Sequence, residues 1–181
     1  INIVGSGCPY EVYKKTLEDE FGEGCVDMPK KYTPMNRSKA RLAKWAFIGK
    51  QWHDSATVCN WMWPMTQSPA KSRNYKGDHD LDAKFMSAVT GEKWTRADVD
   101  LASERISNML RVMTAISFNI NEGSTNLRED HDTICNWVFD KEPEFKAFEE
   151  GTVKLDRADM ELAKDMFYEE MGWDVKTGIP T

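Results

Sequence analysis

Four thiols and three imidazoles are the side chains in this 181-residue sequence that could hold a metal or attack an electrophile. Cys8, Cys25, Cys59 and Cys135 are widely spaced and form no C-x-x-C pair. Zinc and iron-sulfur sites built from one chain draw ligands from close pairs, so no self-contained site of either kind is expected. Taken singly, each cysteine reads as a small buried hydrophobe. His53, His79 and His131 are scattered, without an H-x-x-x-H or carboxylate pairing, and read as surface or loop residues. Asp54, taken alone, reads as a loop carboxylate capping the next turn.

Elements able to position these groups follow from periodicity. Tyr10, Tyr13, Leu17 and Phe21 recur at helical spacing before Gly22, which predicts a helix near 9–21 with Tyr10 on its core side. Gly24 to Pro34 reads as a connector. Ser38 is expected to cap a second helix whose apolar face is Leu42, Trp45, Ile48, Gly49 and Trp52, with both tryptophans deeply buried. Pro64 and the polar stretch Gln67 to Gly77 break the chain. A short helix from Asp80 is expected to bury Leu81, Phe85 and Ala88 and to stop at Gly91.

The strongest pattern is Val99, Ala102, Ile106, Met109, Met113, Ile116 and Ile120, one stripe along a helix over about 96–121. That stripe is expected to be the centre of the core. Thr95 and Asp98 form its capping box. A short helix within Asp130 to Phe139, an acidic link from Pro143 to Thr152, and a last helix capped by Asp156 complete the chain. The last helix is expected to carry Met160, Ala163, Phe167 and Met171 on one side, to stop at Gly172, and to be covered by Trp173. No strand alternation exceeds a few residues. The fold class expected is all-α, an irregular multi-helix arrangement, with 1–181 as a single helical domain.

Composition narrows function. A formal charge of -6, with no cluster of Lys and Arg, argues against a nucleic-acid partner. No apolar run nears spanning length and Ile1 to Tyr10 lacks the features of a signal peptide, so no membrane role and a cytoplasmic location are expected. The aromatic set Trp45, Trp52, Trp61 and Trp63 and the methionine stripe read as packing rather than a ligand box.

Two helix endings carry a resemblance. Phe118-Asn119-Ile120-Asn121-Glu122-Gly123 is similar to F-N-x-R-E-G, and Tyr168 to Thr181 is similar to Y-E-x-x-G-W-D-x-x-G-x-P-T, with one more residue between Asp174 and Gly178, both motifs of the tungsten-pterin aldehyde:ferredoxin oxidoreductases. The chain resembles the carboxyl-terminal domain of that family, over about 35–181. Asp54-Ser55-Ala56-Thr57-Val58-Cys59 is similar to its D-x-x-G-L-C loop, with Thr57 and Val58 in place of Gly and Leu. The resemblance implies that Asp54, Thr57 and Val58 meet the pterin. It also implies that Cys59 supplies one thiolate to a 4Fe-4S cluster, with Trp61, Met62 and Trp63 near it.

Gly5 to Tyr10 is similar to R-G-x-C-H-L, with Pro9 at the histidine and Tyr10 the neighbouring phenol able to donate a proton. Asn121 replaces an arginine. Arg128 and Asp130 match part of a further motif, from which Ile134 to Trp137 departs.

The resemblance further implies a parent enzyme with a tungsten or molybdenum bis-pterin, which oxidises an aldehyde or related carbonyl and delivers electrons to ferredoxin. The family's C-x-x-C-x-x-x-C run is absent from this sequence, so the chain alone is expected to bind neither cluster nor tungsten and to be inactive. It is expected to be a fragment, or one subunit of a split enzyme, whose partners are the N-terminal cofactor-binding domains, ferredoxin and, for a homodimer, a second copy. A non-catalytic helical interaction module is the alternative.

Overall fold

The computed structural model describes residues 7–27, 31–60, 68, 70–140 and 155–181. Gly5, Ser6, Trp61, Met62, Trp63, Pro64 and the link from Pro143 to Thr152 lie outside these residues. Seven α-helices are present among them: α1 Tyr10–Phe21, α2 Arg37–Ser55, α3 Leu81–Thr90, α4 Arg96–Glu122, α5 Leu127–Asp130, α6 Trp137–Asp140 and α7 Arg157–Met171. The described residues contain no strand; an isolated bridge joins Trp173 and Pro180. The all-α class expected from periodicity is the one observed.

The chain gathers into two compact units, the first from residues up to Glu20 with Trp45–Asn108, the second from Phe21–Lys44 with Met109–Thr181. In the first, Tyr13 and Leu17 give α1 its buried face. Trp52 of α2, Ala83 of α3 and Val99 of α4 form a core cluster, against which Met86, Trp94 and Ile106 pack. The Trp52 and Trp94 rings lie 6.0 Å apart. Trp45 is only half-buried. Helix α3 buries Asp82 and Ala83, one position off the expected Leu81, Phe85 and Ala88 row, and Phe85 is exposed. The shift has a polar cause, since Asp82 turns inward to meet an imidazole described below. Thr95 and Asp98 cap α4 reciprocally, Thr95 N–H donating to Asp98 Oδ2 at 2.8 Å.

In the second unit, Asn36, not Ser38, caps α2, because its Oδ1 accepts from Lys39 N–H at 2.9 Å while Ser38 lies inside the helix. Asp156 caps α7 as expected, accepting from Ala158 N–H. After Gly172, in the left-handed conformation at φ 69°, Trp173 folds back and is buried with its ring 5.8 Å from those of Phe167 and Tyr168. The stretch expected as one helix within Asp130 to Phe139 is two single turns, α5 and α6, separated by 131–136.

The largest correction concerns α4. Its buried row runs Val99, Ser103, Ser107 and Arg111 at i,i+4 spacing, while Met109, Met113, Ile116 and Ile120 are 54–75% exposed. The stripe is therefore core only over its first turns. Arg111 explains the rotation. Its Nε donates to the Gly178 carbonyl at 2.7 Å, its guanidinium forks onto Asp132, and the Trp173 ring lies 4.6 Å away. Arg111 with those partners takes the inward position, and the apolar row one step around the helix faces outward.

The same residues explain the terminal motif. Asp132 accepts from Arg111, from Tyr168 Oη and from His131, which together overcome the upward pull of burial and hold its carboxyl down at about 2. Tyr168 is pushed up correspondingly, first by burial and then by the carboxylate. Arg128 donates to the Val175 carbonyl at 2.8 Å and pairs with Asp165 and Glu161. The Gly172 to Thr181 wording thus encodes a clasp around two arginines.

Candidate functional site

The site begins as a helix stop. Helix α2 ends at Ser55, Ala56 N–H still reaches the Trp52 carbonyl at 2.7 Å, and Thr57 then takes the left-handed conformation at φ 59°. Val58 N–H turns back to the His53 carbonyl at 3.0 Å, a six-to-one closure that consumes one of the carbonyls orphaned at a helix end. Glycine is the ordinary occupant of such a position, because a β-branched side chain crowds its own backbone there. Here a threonine occupies it.

The geometry carries Asp54 and Cys59 to the surface on one short segment. Asp54 lies in the last turn of α2, its side chain 59% exposed and ion-paired with Lys50 one turn earlier. Cys59 is a free, exposed thiol, and Thr57 is exposed beside it, with Val58 half-buried. Of the four cysteines only Cys25 is buried, so the reading of all four as small core hydrophobes fails for Cys59 and Cys135, which are exposed, and for Cys8, which is intermediate. Tyr10 opens α1, half-buried, with its ring 6.4 Å from that of Tyr13.

Behind the loop sits a group the sequence reading placed at the surface. His53 is buried at 6% exposure with Asp82 at 4%. Its Nε2 meets Asp82 Oδ2 at 3.2 Å and its Nδ1 meets Asn60 Oδ1 at 2.8 Å. Burial alone would lower the imidazole. Hydrogen bonds that the ring donates to Asp82 and Asn60, with the Asp82 charge, more than offset it and raise the ring above its usual value. Both ring nitrogens face oxygen acceptors, so the protonated ring satisfies each of them. One signal was available, since His53 follows Gly49 by four residues and continues the apolar face of α2. Nothing in the sequence marked Asp82 as its partner.

A pterin edge presents N–H donors, which an ionised carboxylate accepts, and an iron-sulfur cube needs thiolates. An outward carboxylate and an outward thiol on one helix stop fit both demands. Among the described residues no three His, Cys, Asp or Glu side chains converge into a metal-holding group. A polar cleft of about 410 Å³ also lies in the first unit, between Glu20 and Lys84. Two of its carboxylates are already paired, Glu20 with Arg96 at 2.7 Å and Asp78 with Lys84 at 2.8 Å.

Residues 7–181 match the family model described as aldehyde ferredoxin oxidoreductase, domains 2 & 3. No solved structure matches the chain significantly.

Proposed function

Since the chain belongs to the aldehyde ferredoxin oxidoreductase family, matching its domains 2 & 3 over residues 7–181, we propose that it is the helical C-terminal part of a tungsten- or molybdenum-pterin oxidoreductase. In this reading the parent oxidises an aldehyde or related carbonyl and passes the electrons through a 4Fe-4S cluster to ferredoxin. The observation that carries it is the free, exposed thiol of Cys59 on the left-handed stop of α2. A cluster ligand must face away from its own helical core, as Cys59 does.

When bound, the metal-pterin would supply the two-electron oxidation of the carbonyl and the cluster the one-electron relay. This chain would contribute Cys59 as one thiolate and Asp54 as acceptor of pterin N–H groups. Lys50, paired with Asp54 across one helical turn, would share that carboxylate with the pterin. Thr57 and Val58 would shape the backbone between them. Tyr10 is kept as the candidate proton donor without an assigned step.

The remaining partner is the rest of the parent, its N-terminal cofactor-binding domain. Support comes from the open row Met109, Met113, Ile116 and Ile120, an apolar face that a complete protein would cover. No described helix is long and apolar enough to cross a membrane. We infer a reducing, cytoplasmic compartment, in which the exposed thiols of Cys59 and Cys135 stay reduced. The reading is tested by expressing the parent with its upstream sequence and measuring iron and tungsten or molybdenum. Stoichiometric metal with carbonyl-dependent ferredoxin reduction supports it. A metal-free parent that only binds protein partners supports the interaction-module alternative and removes it.

A further inference from the structure

We propose that His53 is the positioning residue of the Cys59 loop, fixing the thiol by bonds on either side of it. The inference rests on the reading of Cys59 as a cluster ligand. Two contacts carry it. The His53 carbonyl accepts Val58 N–H at 3.0 Å, immediately before Cys59, and the His53 ring holds Asn60 Oδ1 at 2.8 Å, immediately after it. One residue thereby clamps both neighbours of the thiol.

The clamp is itself anchored. Asp82 receives the second ring nitrogen at 3.2 Å, and it stands in the first turn of α3 next to Ala83, which packs in the cluster with Trp52 and Val99. Any displacement of the ring would leave a carboxylate at 4% exposure without its partner. Desolvating an imidazole and a carboxylate is costly, and an apolar pair of equal volume would fill the same space at lower cost. Packing therefore does not account for the pair. What an apolar pair cannot do is hold Asn60, and through it the exit of the loop. A ligand that must meet a cluster carried by another part of the protein gains from such restraint, because ordering it on assembly would otherwise oppose binding.

The test measures modification of Cys59 by a disulfide reagent in the folded chain, with Cys8→Ser and Cys135→Ser removing the other accessible thiols and buried Cys25 reporting integrity of the fold. Asn60→Leu removes the ring's acceptor at an exposed position, and Asn60→Asp restores an oxygen there. The expected result is that Cys59 reacts about three- to tenfold faster in Asn60→Leu, the range set by losing one hydrogen bond that restrains local opening, with the native rate recovered in Asn60→Asp. An equal or slower rate in Asn60→Leu, or no recovery in Asn60→Asp, overturns the proposal.

The unsubstituted chain provides a second reading. The His53 Nδ1 proton is expected to resonate as a hydrogen-bonded proton protected from solvent exchange, and a rapidly exchanging one overturns the proposal. The ligand assignment fails separately. A parent whose cluster is indifferent to Cys59→Ser discards the ligand role and leaves the clamp standing, while unchanged labelling discards the clamp and leaves the ligand role standing.

Discussion

Arg111 Nε donates to the Gly178 carbonyl at 2.7 Å, which ties the buried row of α4 to the last residues of the chain. A Cβ on Gly178 would lie 2.6 Å from Arg111 Nη2 and 3.1 Å from the Tyr168 ring, at a φ of 70° that disfavours any side chain. Gly178→Ala is expected to lower the unfolding free energy by about 3 kcal/mol, combining overpacking with backbone strain. Urea unfolding followed by circular dichroism checks it, and a change near zero would show that the clasp is dispensable.

Asp132 gives the clasp an acid limit. Its carboxyl is held at about 2 in the fold against an ordinary 3.8. A depressed carboxyl contributes stability above its unfolded value and loses it as pH falls through the folded one. The window is therefore between about pH 4 and pH 2, and the loss about 2 kcal/mol. Asp132→Asn should be less stable at neutral pH and should lack this component of the acid loss. Parallel urea titrations of both proteins at pH 4.5 and pH 2 test the sign.

Much of this architecture was readable from periodicity and caps. Thr95 with Asp98, Asp156, Gly91 and Gly172 announce their helix ends because capping is a local matter of two or three residues. The inward face of α4 was not readable. Hydrophobicity ranked Met109, Met113, Ile116 and Ile120 above Arg111, and only the fold brings Asp132, Gly178 and Trp173 to the guanidinium from sequence distances that no pattern reports. His53 was missed for the same reason, since a buried imidazole is defined by Asp82 and Asn60. The Asp54 to Cys59 loop was singled out through family wording alone; the left-handed stop at Thr57 within it was not legible in the sequence.

That stop carries a cost in this chain. Thr57 sits at φ 59° with a β-branched side chain, and its side chain is exposed. Thr57→Gly should raise stability by about 1 kcal/mol, as relief of the left-handed strain exceeds the added freedom of the unfolded chain. A thermal melt that shows destabilisation would mean that the threonine makes contacts worth more than its strain.

Met113 distinguishes the observed α4 from the one its hydrophobicity suggests. At 59% exposure, Met113→Asp should change the stability of the isolated chain by no more than about 0.5 kcal/mol, where a core site would lose about 3 or more. The same substitution should weaken attachment of the N-terminal domain if this row is its seat. Unfolding of the isolated chain and co-purification with that domain separate the two effects.

The central claim is that Cys59 faces outward to ligate a cluster held jointly with the rest of the parent. Electron paramagnetic resonance of the reduced parent protein, compared with its Cys59→Ser variant at matched protein concentration, tests it most directly. A 4Fe-4S signal is expected in the first and its loss or alteration in the second, with iron content falling alongside it. Identical spectra and identical iron in the two proteins would contradict it.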